Sequence, residues 1–391
     1  MKGYIFSYAY RWVVAFSVAV GCCIPASIWA KVSQEEIDEQ VHKVAQIKKG
    51  ELRFSRQVIR DLCRFLEHEK AKTKDWSFKV FESRTTGLPF RIFRVPSLKN
   101  FVIQSRSSDS YVGKGCHKIV RKAILYGSKP RLIVVCDCDK TAKIELKALK
   151  QLGRASGLVP FLGYVERKKG KSYSLFFDYY SSGSLSRMLR AREKFTSRQV
   201  LKISKDMTRG LMAMHKKNLV HRDLHWGNLL LRPTKDGLYE AAITDFGKTE
   251  HYKKVGDGSP HGAKTRHPPE ALLQSFKKLD RFAVDVYALG CTFYQLIWRE
   301  NHPWAFVYNA YDKKRYGRRD CLRRFRKIVN LYDSTRDSLI LPLLKKKRSG
   351  EKLSSFEDFK CLTFRMLDYQ PKRRPKLEEV FKQLDTLAPE L

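Results

Sequence analysis

The feature that most constrains this chain is a pair of segments, VHRDLHWGNLLL at 220–231 and ITDFGK at 243–248. Asn228 directly precedes an apolar run, Asp245 directly follows another, and the turn dipeptide Asp236-Gly237 lies between them. The midpoint of positions 228 and 245 falls on that turn, so the spacing predicts a β-hairpin that brings Asn228 and Asp245 side by side. Two oxygen ligands converging on one point suit Mg²⁺, a hard cation that takes a few carboxylate or amide oxygens together with phosphate. Asp223, five residues before Asn228, then lies beside the metal, where a carboxylate can orient an attacking hydroxyl or accept its proton.

A second segment, GKGCHKIV at 113–120, reads as a phosphate-cradling loop. Gly113 and Gly115 let the backbone approach phosphate closely. A lysine, Lys118, stands where such a loop would have its last glycine. The strands KIVRKAIL and RLIVVCDC flank the turn YGSKP, which predicts an antiparallel hairpin turning near Gly127. In that register Lys118 faces Cys136 on the same side of the sheet, with Cβ atoms about 5 Å apart. Glu145, in KIELKALKQL, is the natural ion-pair partner for Lys118, and Leu149 would line the core beneath it. Only nine positions separate Cys136 from Glu145, so the helix that carries Glu145 must begin early.

From about residue 106 the pattern is short strands, a helix, then more strands up to FFDYYSSG at 176–183; long helical periods follow, as in SRQVLKISKDMTRGLMAMH. A β-rich part followed by an α-rich part predicts two lobes of one catalytic unit. Residues 31–105 read as an accessory region with helices and a hairpin. Ser33 and Glu36 form a capping box for a helix ending near Gly50. Residues 55–68 carry Val58, Ile59, Leu62, Phe65 and Leu66 on one face, and FKVFESRTTGLPFRIFRV alternates around Thr85-Thr86-Gly87 like a hairpin.

HRD with an asparagine five residues after its aspartate, then DFG, resembles the eukaryotic-type protein kinase family. Further landmarks follow in order. His267-Pro268-Pro269-Glu270 resembles the segment that closes the activation loop, Asp285 in DVYALG the buried helix aspartate that braces the catalytic loop, and Arg374 in PKRRP the arginine that pairs with Glu270. The resemblance runs from about 106 to 388 and implies an α+β, bilobal protein-kinase-like fold, with a small β-rich N-lobe and a larger α-helical C-lobe. It implies ATP and Mg²⁺ as cofactors and transfer of the γ-phosphoryl group to a protein substrate, to serine or threonine rather than tyrosine. Asp223 would serve the substrate hydroxyl, and Asn228 and Asp245 would hold the metal. Gly113, Gly115 and Lys118 would cradle the phosphates. Phe177 resembles the gatekeeper before a hinge from Asp178 to Ser182, which makes Asp178 a nucleotide-binding position.

The sequence departs from the family pattern at two places. The lysine expected on the third strand is replaced by Cys136, and the combination with Lys118 resembles the with-no-lysine kinases. That likeness implies that Lys118, with Glu145, positions the phosphates from the neighbouring strand. His225 replaces the lysine that serine/threonine kinases place two residues after the catalytic aspartate, and as a neutral imidazole it would bond a phosphate oxygen more weakly. These departures keep open an alternative function, a catalytically weak or dead pseudokinase acting as a binding scaffold. Arg222 is expected to receive an activation-loop phosphate, with Thr249, Tyr252, Ser259 and Thr265 as candidate acceptors.

Charge and the N-terminus bear on partners and place. The formal net charge of +38 favours a polyanionic partner without specifying it. The densest basic run, DKKRYGRRDCLRRFRK at 312–327, has few aromatics and reads as a solvated helix face; nucleic acid is unlikely there, whereas an acidic docking partner or an anionic membrane surface fits it. Lys2 and Arg11 precede an uncharged stretch from Trp12 to Ala30, so residues 1–30 are expected to be a signal peptide or a membrane anchor. The protein is then exported or membrane-anchored, with its catalytic domain in a compartment that contains ATP. Nine cysteines without paired spacing predict mostly reduced thiols.

Overall fold

A computed structural model describes residues 39, 55–70, 77–83, 87, 89–98, 100–114, 118–127, 129–167, 169–253, 266–273, 278–308 and 317–387. The expected signal peptide or anchor at 1–30 lies outside these residues, as does the helix opened by Ser33 apart from Glu39. The chain divides into two compact units, residues 1–111 with 122–132, and residues 112–121 with 133–391.

The first unit is a helix packed on an antiparallel ladder. Helix α1 (Arg56–Lys70) buries Val58, Ile59, Leu62, Cys63 and Leu66, with Phe65 half-buried beside them, as the periodicity predicts. The hairpin of β1 (Phe78–Glu82) and β2 (Pro89–Val95) pairs Phe81 with Phe90, and β3 (Asn100–Ser105) continues from β2. After β4 (Tyr111–Lys114), the later part of β5 (Lys118–Tyr126) closes this ladder, with Tyr126 opposite Phe101. The stripe of α1 packs on Phe90, Ile92, Phe101, Ile103, Ile124 and Tyr126. This unit therefore takes in residues 122–132 as well as the N-terminal region.

The second unit has a β-rich part and a helical part. In the β-rich part, β6 (Arg131–Asp139) pairs antiparallel with β8 (Ser172–Asp178), which also pairs with β7 (Phe161–Arg167). Helix α2 (Ala142–Leu152) begins three residues after β6. Asp139 makes that abrupt start possible by accepting the Thr141 backbone N–H at 2.8 Å and its hydroxyl at 2.6 Å. Glu145 therefore lies in the first turn of α2, with Leu149 buried in the core on the same side.

The helical part starts with β9 (Gly183–Ser184) and α3 (Leu185–Arg190), then α4 (Ser197–Lys216), which a full capping box of Thr196 and Gln199 opens. Next come β10 (Leu219–Val220), β11 (Leu229–Pro233), β12 (Tyr239–Ile243) and β13 (Glu250–His251). Helices α5 (Arg281–Trp298), α6 (Arg318–Leu339), α7 (Leu341–Arg348), α8 (Ser355–Met366) and α9 (Leu377–Leu387) complete it. One core runs from α2 and β8 through α4, β11 and β12 to α5, α8 and α9. Gly157 (φ +82) and Gly210 of α4 set how close these layers come: a Cβ on Gly210 would lie 2.2 Å from the Gly157 carbonyl oxygen. Because the chain meets there backbone to backbone, Gly157 can also bond Ile243 of β12, whose N–H donates to the Gly157 oxygen at 2.8 Å.

The hairpin of β11 and β12 forms with a register one position from the expected one. Leu229 pairs with Ile243, so Asn228 faces Thr244, whose N–H donates to the Asn228 carbonyl at 2.9 Å. The loop is centred on Asp236 itself, with Gly237 in the left-handed region (φ +75) and the Thr234 N–H bonded to the Leu238 carbonyl at 2.9 Å. Asp245 thus lies just past the ladder. In the basic run, residues 312–316 lie outside the described residues, and α6 is amphipathic: Cys321 and Ile328 are buried while Arg319, Arg323, Arg326 and Lys327 are exposed. Among the described residues no helix is long and apolar enough to cross a membrane. Among the described residues, Cys63, Cys136, Cys138, Cys291, Cys321 and Cys361 form no disulfide.

Candidate active site

The loop that carries Asp223 is held from beneath by Asp285 of α5. The carboxylate is buried and accepts the backbone N–H groups of His221 at 2.8 Å and Arg222 at 3.1 Å, with His215 Nε2 at 3.0 Å. Burial opposes its charge, but the hydrogen bonds and the two histidines outweigh it and hold the carboxyl below its ordinary range. His221 continues the brace, since its Nδ1 accepts the Asp223 N–H at 3.3 Å and its Nε2 bonds the Thr244 carbonyl at 3.1 Å. Arg222 and Asp245 both hold left-handed backbone (φ 69 and 65), which costs a non-glycine residue roughly 1 kcal/mol or more and persists where surroundings enforce it.

Asp223 itself is half-buried, and its Oδ1 is buried without a hydrogen-bond partner among the described residues. Burial pushes its carboxyl upward, assisted by Asp245, while His221, Arg266 and Lys248 pull the other way. The Asn228 side-chain amide donates to the Asp223 carbonyl at 2.9 Å, which leaves the Asn228 side-chain oxygen as an acceptor. His225 accepts the Gly227 N–H on Nδ1 at 2.9 Å, so a neutral ring carries its proton on Nε2, 3.7 Å from Asp223 Oδ1. Burial, Arg266 and His221 push the His225 pKa down to about 4, so the imidazole is neutral near pH 7. Gly227 leaves room for that ring: a Cβ there would lie 2.6 Å from His225 Cε1 and would displace it.

Lys118 points at the same centre. Its Nζ lies 2.7 Å from Asp245 Oδ1 and 3.5 Å from Glu145 Oε2. Burial opposes the ammonium, but Glu145 and Asp245 together outweigh it and raise the lysine's pKa. Burial, with the nearby Asp245 charge, pushes Glu145 upward against the pull of Lys118, which is the opposite preference across one contact. We read the trio as ionised, since one ammonium meets two carboxylates and the Phe246 N–H donates to Glu145 Oε1 at 3.3 Å. Asp245 is held low: Lys118, by charge and hydrogen bond, overcomes the cost of burial. Cys136 is buried, and burial raises its thiol well above the usual value despite the nearby Lys118 charge, so it stays a neutral thiol.

The remaining expected positions are more dispersed. At Gly113 a Cβ would meet nothing within 4 Å among the described residues, so packing does not demand glycine there. Gly115 lies outside the described residues. Asp178 ends β8 opposite Ile133, with its N–H on the Pro160 carbonyl at 3.1 Å and Oδ2 3.9 Å from Arg232 Nη1. Phe177 is buried against Phe161, ring centroids 5.5 Å apart. The oxygens of Asn228 and Asp245 fit a hard divalent cation: Lys118 engages one Asp245 oxygen, and the donor set contains no sulfur. Glu270 and Arg374 form a bidentate buried pair at 2.7 and 2.6 Å.

Against this geometry, the family profile described as "Protein kinase domain" matches residues 118–384, two thirds of the chain. The chain belongs to the protein kinase domain family. Its fold is bilobal and kinase-like, with a β-rich N-lobe and a helical C-lobe, and kinase domains as a class use ATP and a divalent metal. Similar curated proteins include the MAP kinase kinase kinase mkh1 of Schizosaccharomyces pombe, 28% identical over 195 residues, 49% of this chain and 15% of that protein. Mitogen-activated protein kinase kinase kinase 3 of Arabidopsis thaliana is 26% identical over 174 residues, 43% of this chain and 26% of that protein. MCK1 of Pyricularia oryzae, described as a kinase of the same tier, is 32% identical over 165 residues, 41% of this chain and 10% of that protein. The chain thus spans only a minor part of these relatives' length.

Two features of the kinase site escaped the sequence reading. Arg266 carries charge close enough to Asp223 and His225 to shift both, although its motif value lay in the following His267-Pro268. Arg222, expected to await a phosphate, instead donates to Glu250 at 2.5 Å. Of the candidate acceptors, Thr249 is buried, Tyr252 stacks on Phe282, and Ser259 and Thr265 lie outside the described residues. No motif signalled Glu250; only the strand pairing brings it there.

Proposed function

We propose that this kinase domain is catalytically active, transferring the γ-phosphoryl group of ATP, with Mg²⁺, to serine or threonine hydroxyls of a protein substrate. The observation that carries the reading is the Lys118 ammonium set between Glu145 and Asp245, which supplies from β5 the cation that Cys136 cannot. Lys118 then positions the nucleotide phosphates while Glu145 fixes the lysine. Asp223, with an unpartnered oxygen, accepts or orients the substrate hydroxyl proton. Asn228 and Asp245 would hold the metal, which when bound offsets phosphate charge. Gly113 and Gly115 line the phosphates, and the segment from Asp178 lies at the nucleotide base. His225 faces the reacting groups as a neutral donor. That similar proteins of Dictyostelium discoideum and Saccharomyces cerevisiae are named serine/threonine-protein kinases supports serine/threonine specificity.

The same proposal gives the exposed basic face of α6 an acidic docking partner or anionic membrane surface, and residues 1–30 the role of signal or anchor, with the lobes in a compartment that holds ATP. N-terminal sequencing of the mature protein tests the last point, where an intact Met1 together with loss of membrane sedimentation would refute it. The activity is tested by radiolabel transfer from γ-labelled ATP to a generic basic protein. Wild type is expected to label it, and Lys118→Met, Asp223→Asn and Asp245→Ala to lose labelling by roughly 100-fold or more. Full labelling by Asp245→Ala would refute the metal assignment. Nucleotide binding by folded wild type without transfer would make the domain a binding scaffold.

A further inference from the structure

Arg222 immediately precedes Asp223, and its guanidinium is already engaged by the chain. Arg222 Nη1 lies 2.5 Å from Glu250 Oε2, and Arg281, the first residue of α5, brings its Nη1 within 3.6 Å of the same oxygen. All three side chains are largely withdrawn from water, at 17%, 10% and 14% exposure for Arg222, Glu250 and Arg281, so the contact is screened less than a surface pair. The backbone repeats the link: β13 pairs antiparallel with β10, and Glu250 stands opposite Val220, two residues before Arg222. Tyr252 extends it, with its N–H on the Asn218 carbonyl at 2.7 Å and its ring 4.2 Å from Phe282. Phe282 in turn lies 4.3 Å from the ring of His215, which bonds Asp285. The left-handed Arg222 is thus tied by its N–H to Asp285 and by its side chain to Glu250.

We propose that Glu250 is a positioning residue that fixes Asp223 through Arg222, and that this carboxylate takes the place of a loop phosphate, so that activity does not depend on phosphorylation between residues 249 and 265. The inference rests on the kinase reading above. A phosphate would bring more charge, about −1.5 to −2 at pH 7, but the carboxylate meets two guanidinium groups at once and needs no modifying enzyme. Thr249 fits the same conclusion: it is 5% exposed, so its hydroxyl is withdrawn from a modifying kinase.

The test measures initial rates of the full chain over a range of ATP concentrations, before and after treatment with, and removal of, a broad-specificity protein phosphatase. Wild type is expected to keep its kcat after dephosphorylation. Glu250→Gln, nearly isosteric, should lower kcat roughly 10- to 100-fold with KM for ATP little changed. Arg222→Ala combined with Glu250→Gln should be no slower than the slower single variant, since both remove one contact. Hydrogen exchange supplies a readout independent of catalysis: the amides of residues 219–223 should exchange faster in Glu250→Gln. A wild type silenced by phosphatase, an unchanged kcat in Glu250→Gln, or unchanged exchange at 219–223 would each overturn the proposal. If wild type transfers no phosphate at all, the kinase reading fails, and the exchange measurement alone decides whether Glu250 holds the loop.

Discussion

Asp223 and Asp285 are linked through His221 and Arg222 yet are tuned in opposite directions, and both directions predict pH behaviour. For Asp223 burial raises the carboxyl, so the ionised form that the proposed role at a substrate hydroxyl calls for is lost at a higher pH than in an ordinary aspartate, whose pKa is about 4. The acid limb of kcat/KM should therefore lie above pH ~4 and move down in a variant that exposes the loop. Asp285 is held low. Its contribution to stability is fully present above the unfolded-state pKa near ~4 and is lost as pH falls through the lower folded value. Asp285→Asn, which turns an acceptor of two backbone N–H groups partly into a donor, should cost roughly 2 kcal/mol or more in urea unfolding at pH 7 and flatten the acid side of the stability curve. A variant with the wild-type acid slope would show that Asp285 does not titrate with unfolding. At this scale the residue types were legible in the sequence, whereas the tautomer of His225 and the unpartnered oxygen of Asp223 were not, because both depend on where Gly227 and His221 place their polar atoms.

Among the elements, the decisive contact is between α4 and the loop before β7. Gly210 has ordinary helical backbone, so its need for glycine comes from what faces it, chiefly the Gly157 carbonyl with Leu158 Cδ2 at 3.1 Å behind it. Gly210→Ala should destabilise the domain by roughly 1–3 kcal/mol, towards the upper end because the obstacle is backbone on both sides. Thermal melting checks it; a gain in stability, as helix propensity alone would give, would show that the two layers can separate freely. Helix α1, the β1–β2 hairpin and the early start of α2 were readable from periodicity and spacing. The β11–β12 register was displaced by one position because the choice of loop around Asp236-Gly237, not the apolar pattern, sets it. That displacement matters for Asp245, which leaves the ladder and turns through a left-handed residue to reach Lys118.

For the whole second unit, Arg374 ties the region before α9 to Glu270 and to α5. Its guanidinium bonds Glu270 twice, the Ala283 and Asp368 carbonyls once each, and lies 4.9 Å from the Tyr287 ring centroid. Removing it leaves a buried carboxylate alone, so Arg374→Ala should cost roughly 3–5 kcal/mol, and Arg374→Leu combined with Glu270→Leu should recover a good part of that. Equal losses in the single and double variants, measured by denaturant unfolding, would mean that the carbonyl bonds matter more than the pair. The high net charge enters at this scale too. It bears on partners and solubility, and the amphipathic α6 shows how a dense basic run is compatible with an ordinary buried face.

Spacing and residue type alone determined the lobe order, the family landmarks and the set of carboxylates, amides and glycines, because those depend on local pattern and on chemistry that few residues can perform. Three things were decided only by the folded chain. Lys118 meets Glu145 and Asp245, positions 27 and 127 residues away, because α2 and the β11–β12 hairpin converge on β5. Glu250 takes Arg222 because β13 pairs with β10. The opposed tuning of Asp223 and Asp285 follows from burial and from hydrogen bonds between distant segments, and such energies depend on distance in space, which sequence separation does not measure.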